Sequence, residues 1–174
     1  MSFQEGPEVN SARRVFVSYI DKSRELYLAQ GYGNPYRWAY NCEVPFVALP
    51  KPLAECRIAV VTTSSIDEGQ EAVDLADRPP KHSYAWPSDP VPDRLFTMDL
   101  SWDKEATHTN DVDSFLPLRR LREYEAEGRV GSVSQRFYGV PTEYSQRKTN
   151  TLDAPDVLRF CREDGVDVAL LVGL

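Results

Sequence analysis

The closing run of the sequence, "VDVALLVGL" (166–174), sets the tightest limit on the fold. It is apolar, β-branched in part, and follows a glycine, Gly165. A run of this kind reads as a strand buried on both faces, which belongs in the middle of a parallel sheet covered by helices. In open α/β sheets the chemistry collects just past the carboxyl ends of such strands. Leu174 therefore stands where a site is expected to begin.

The segments upstream supply the rest of such a sheet. "RIAVVTTSS" (57–65) reads as a first strand, "LFTMDLSW" (95–102) has strand character, and "RVGSVSQ" (129–135) is a weaker strand. "DSFLPLRRLREYEAEG" (113–128) has an apolar stripe of Leu118, Leu121 and Tyr124, and Gly128 as its stop. Pro117 fits this helix only in its first turn, which puts the cap at Asp113 or Ser114. "DAPDVLRFCREDG" (153–165) reads as a second helix, capped by Asp153 and stopped by Gly165. Strand, helix, strand, helix, strand predicts an α/β domain with a mostly parallel sheet. The expected class is a Rossmann-like (flavodoxin-like) three-layer fold, truncated after a central strand.

Residues 1–174 are expected to form a single α/β domain. Ser11–Gln30 carries Phe16, Tyr19, Ile20, Leu26 and Tyr27 at helical spacing, with Ser11 as cap and Gly31 as stop. A Pro- and aromatic-rich stretch follows, anchored by Tyr36, Trp38, Tyr40 and Phe46. Together, residues 11–56 read as an N-terminal helix and extended arm packed on the core. The polar stretch ending at Arg94 reads as loop, with one short helix near Glu68–Leu75.

Charge and composition exclude several function classes. The 174 residues carry a formal net charge of −7, which argues against binding nucleic acid or anionic membranes. No stretch approaches the roughly 20 apolar residues of a membrane span, and the N-terminus lacks a signal-peptide apolar region. The expectation is a cytoplasmic protein. Cys42, Cys56 and Cys161 are an odd set with no C-x-x-C spacing, so neither a disulfide framework nor a zinc site is read. No G-x-G-x-x-G or P-loop is present, and no cofactor is called for. Tyr19, Tyr27, Trp38 and the terminal strand offer apolar surface that points to a homo-oligomer or a partner subunit.

Candidate site residues come from the loops after the strands. Thr63 and Ser64 follow the first. Tyr138, Glu143 and Tyr144 belong to "FYGVPTEYSQRKTN", after the third. These five are the substrate-binding candidates for a small molecule. "THTNDVDS" (107–114) is the most chemically dense stretch, and His108, Asp111 and Asp113 are its catalytic candidates. His108 suits acid–base work because imidazole titrates near neutrality. The plainer reading of the aspartates is capping and turn formation. A divalent-metal reading of the three is the weaker alternative. Arg119, Arg120 and Arg122 read as a solvated helix face.

The stretch "THTNDVDSFLPLRRLREYEAEGRVGSVSQRFYG", with "GVDVALLV" after the second helix, resembles the selenoprotein B family of glycine, sarcosine and betaine reductases and D-proline reductase. The matching positions are Asp111, Pro117, Arg120, Leu121, Glu127, Gly128, Gly131, Gly165, Val166 and Asp167. Asp113 stands where the family often has Asn, and Leu116 where it often has Phe. "YGNPYRWAYNCEVPF" and "KPLAECRIAVVTT" are similar to the N-terminal part of family members, so the resemblance spans roughly residues 13–174. It implies that the apolar strand leads into selenocysteine or cysteine, then two residues, then a second cysteine. Selenocysteine is encoded by UGA, normally a stop codon, so an ending at Leu174 fits a reading frame closed at that codon. The implied activity is a selenol- or thiol-based oxidoreductase on a small substrate, with the nucleophile missing from these residues. Glycine and D-proline reductases work with partner subunits, some carrying a pyruvoyl group. Two other readings stand beside it: a non-catalytic α/β binding or assembly subunit, and a metal-dependent hydrolase built on His108, Asp111 and Asp113.

Overall fold

The structure, a computed structural model, describes residues 19–33, 47–66, 81–99, 103, 105–142 and 145–174. The chain divides into two compact units, 1–46 and 47–174. In the first unit, helix α1 runs Tyr19–Ala29. It ends at Gly31, whose φ of 85° is the left-handed backbone that glycine adopts freely. The Tyr27 and Tyr32 rings meet edge to face at 5.7 Å. Ser11, Phe16 and the aromatic arm from Tyr36 to Phe46 lie outside the described residues, as does the short helix expected near Glu68–Leu75.

The second unit is α/β, built on an open mixed sheet of five strands. Strand β1 (Arg57–Thr62) lies between neighbours and buries every residue after Arg57. Its β-branched and small apolar side chains fit a strand covered on both faces. β2 (Tyr84–Pro87) forms where the sequence reads as loop. It pairs antiparallel with β4 (Arg136–Gly139), Tyr84 opposite Gly139 and Pro87 opposite Arg136. Among the described residues β2 pairs only there, so Pro87 sits on an edge, where its missing N–H costs no ladder bond. β3 (Ser132–Val133) and β4 both pair parallel with β1 and are separated by Ser134 and Gln135. The weak third strand therefore extends further than 129–135.

β5 (Val168–Val172) pairs parallel with β1 along its other side, from Ile58 opposite Val168 to Thr62 opposite Val172. The expected parallel pairing of the first and last strands holds. The expected central position does not. Among the described residues β5 pairs only with β1, and Leu170 and Leu171 are 40% and 75% exposed. Apolar composition alone does not tell a central strand from an uncovered edge.

"LFTMDLSW" also departs from expectation. Its described part forms no strand, only a single antiparallel bridge between Ser65 and Phe96. Leu95 is apolar because it fills the core rather than a ladder.

One helix packs on each face of the sheet. α2 (Leu118–Ala126) places Leu118 and Leu121 against Ile58, Val60 and Phe137, with Leu95, Val112, Phe115 and Leu116 completing that side. The expected cap at Asp113 or Ser114 is displaced. Those residues form a short 3-10 turn, Val112–Ser114, and α2 starts after Pro117, which an α-helix tolerates only at its beginning. Gly128, with φ of 70°, ends the helix as expected.

The opposite face is covered by α4 (Ala154–Glu163), whose Phe160, Val157 and Cys161 pack on Ala59, Val61 and Tyr138. Asp153 is not its cap: its φ and ψ of −66° and −48° are helical. Helical backbone begins earlier, in α3 (Gln146–Lys148), where the Ser145 side chain accepts the Lys148 N–H. A π-helical stretch, Thr149–Asp153, joins α3 to α4. Pro155 explains the wide turn: it has no N–H to give and its ring crowds the preceding carbonyls. Gly165, φ 62°, ends α4. Among the described residues no helix is long and apolar enough to cross a membrane.

Candidate functional site

Three parallel neighbours, β4, β1 and β5, end together, and the segment after β1 crosses that end. Thr62, Ser64 and Ser65 are buried there although all three are polar. Burial of a hydroxyl is tolerable only with a partner. The Thr62 Oγ1–H donates to Ser64 Oγ at 3.2 Å, and the Ser64 N–H returns to Thr62 Oγ1 at 3.3 Å. From β2, the Tyr84 hydroxyl donates to the Ser64 carbonyl at 3.0 Å. From the end of β5, the Leu174 N–H donates to Thr63 Oγ1 at 2.8 Å. Four chain segments thus meet around a hydroxyl-lined turn.

Thr63 and Ser64, the candidates after the first strand, are both in this cluster. Ser64 is sealed from solvent, while Thr63 is half-buried and holds the exit of β5. The contributions of Tyr84 and the Leu174 amide carry no sequence signal, since they reach Ser64 and Thr63 across 20 and 111 residues. Replacing Thr63 with Val keeps the shape and removes the acceptor. The expected cost is about 1 kcal/mol in urea unfolding, with faster hydrogen exchange at the Leu174 amide. An unchanged midpoint and unchanged exchange would contradict that role.

Tyr138 is not a surface-pocket residue. It is fully buried, stacked on Phe160 with ring centroids 5.6 Å apart. Its hydroxyl donates to Asp164 Oδ2 at 2.7 Å, and lies 3.2 Å from the Phe160 carbonyl. Burial, and then the Asp164 carboxylate, push its ionisation well above the ordinary phenol range. The same Asp164 takes a forked pair of bonds from Arg136, with Nε–Oδ2 at 2.9 Å and Nη2–Oδ1 at 2.8 Å. Arg136 also reaches Glu163 at 3.0 Å. This cluster fastens the end of α4 to β4. Glu143 and Tyr144 lie outside the described residues.

His108, Asp111 and Asp113 stay together in the loop before α2, and among the described residues their hydrogen bonds are local to that loop and to Arg119. His108 is exposed, and its Nδ1 accepts the Asn110 N–H at 3.4 Å. Asp111 is exposed, and its carbonyl takes the Ser114 hydroxyl at 2.7 Å. Asp113 pairs with Arg119 at 3.4 Å, while its Oδ1 is buried with no hydrogen-bond partner. Among the described residues no three His, Cys, Asp or Glu side chains converge as a metal-ligand set, so the hydrolase reading has no geometry behind it. Arg119 also pairs with Asp93 at 3.5 Å, and Arg122 donates to the Ser88 carbonyl at 3.2 Å. The basic face of α2 is therefore partly structural.

Neither described cysteine is near the hydroxyl cluster. Cys56 is fully buried just before β1, at the opposite end of the strand. Cys161 lies on the sheet-facing side of α4, where burial, and secondarily Asp164, push its thiol up. A thiol so placed is a poor nucleophile at neutral pH. Cys42 lies outside the described residues. A shallow cleft bounded by Lys81, His82, Pro141, Lys148, Leu152 and Asp153 lies beside the loop leaving β4. Lys81 donates there to the Thr142 carbonyl.

Comparison of the chain with protein-family models, with curated proteins and with solved structures finds no match.

Proposed function

We propose that this chain supplies the fold and part of the pocket of a selenoprotein-B-like reductase, related to the glycine, sarcosine, betaine and D-proline reductases. It would act on a small substrate through selenol or thiol chemistry. The observation that supports the reading best is the meeting of β5 with β1. Because the Leu174 N–H is held by Thr63 Oγ1, a residue continuing that strand would enter beside the hydroxyl-lined turn. A chalcogen nucleophile reacts as its anion, which hydrogen-bond donors favour. The resemblance implies a nucleophile in a loop continuing β5, and the described cysteines, Cys56 and Cys161, lie elsewhere. His108 is the proton donor in this reading. The acid form of an imidazole is its imidazolium, which gives a proton to a leaving group and is left as the neutral ring. We read the fold as flavodoxin-like with three layers, supported by one helix on each face and a β1 flanked by parallel strands.

Among the described residues β5 pairs only with β1, and its exposed Leu170 and Leu171 favour a second reading, a non-catalytic α/β subunit whose last strand pairs within a homo-oligomer or with a partner subunit. The nucleotides after codon 174 separate the two. The reductase reading expects UGA, or a cysteine codon, followed in frame by two codons and a cysteine codon. UAA or UAG followed by noncoding sequence would remove it and leave the subunit.

A further inference from the structure

We draw no further inference here: the strongest candidate, the open apolar edge of β5 with Leu170 and Leu171, carries nothing because nothing in the structure shows what covers it.

Discussion

Asp164→Ala should destabilise the α/β unit by about 3 kcal/mol, because it breaks a partly buried ion pair and takes the shorter-bonded acceptor from two donors at once. Arg136 loses its forked partner, and the Tyr138 hydroxyl, fully buried, loses its 2.7 Å acceptor. The ties of α4 that remain include the Arg136–Glu163 pair, the Ser83 hydroxyl to Asp156, the stacking of Phe160 on Tyr138 and the apolar packing of Val157 and Cys161. Asp164→Asn keeps one acceptor oxygen and should lose less. The acid limb of stability tests the same cluster. Burial alone would raise the Asp164 pKa, but the bonds from Arg136 and Tyr138 outweigh it and hold the carboxyl below its ordinary value. A carboxyl depressed in the folded state adds stability above its unfolded pKa, and that stability is lost as pH falls through the folded value. Urea midpoints should therefore fall steeply below pH ~4 in the wild type and less steeply in Asp164→Asn. Equal slopes, or an Asp164→Ala variant as stable as the wild type, would show that the cluster does not fasten α4.

Gly131→Ala should cost about 3 kcal/mol, because the added methyl has nowhere to go. A Cβ there would lie 2.5 Å from the Glu55 carbonyl carbon and 2.8 Å from the Cys56 nitrogen, both backbone atoms. Those atoms are fixed by the Gly131 N–H to Leu53 and the Ser132 N–H to Cys56, which seat β3 against β1. Gly139→Ala differs in kind. Its Cβ would overlap the Tyr84 ring at 1.9 Å, so the ring must swing away. Tyr84 would then give up its bond to the Ser64 carbonyl and its edge contact with Phe137. The cost is about 2 kcal/mol in the wild type and near zero in a Tyr84→Ala background. Measured by denaturant unfolding, additive costs at residues 139 and 84, or a neutral Gly131→Ala, would contradict this packing.

The parts legible in the sequence are those where local chemistry and packing agree. β1 is β-branched and buried on both faces, and the stops at Gly31, Gly128 and Gly165 all have positive φ. Pairings that depend on distant segments left no such trace. β2 is four residues among prolines, and its partner lies some 50 residues on. The start of the last helix is less legible, because Pro155 looks like a first-turn proline, whereas a π-helical turn carries it inside a longer run. In the site, "TTSS" was legible as a polar loop after a strand, but not that Ser64 is sealed from solvent. For Tyr138, position in the chain, at the end of a strand, does not reveal which face its ring takes. Its ring points to the α4 side, where Asp164 awaits it.

The central proposal is that a working nucleophile belongs beside Thr63, at the end of β5, and is none of the described cysteines. The most direct test compares dithiol-dependent turnover and alkylation in three proteins: the 174-residue chain, the chain extended by its own downstream codons with Sec or Cys at the first UGA, and that extended chain with His108→Ala. The account expects no turnover and slow alkylation of Cys56 and Cys161 in the first. It expects rapid alkylation of the new residue and turnover in the second, and turnover reduced by about 10²-fold or more in the third. Equal turnover of the first two proteins would contradict it and return the search to residues 62–147.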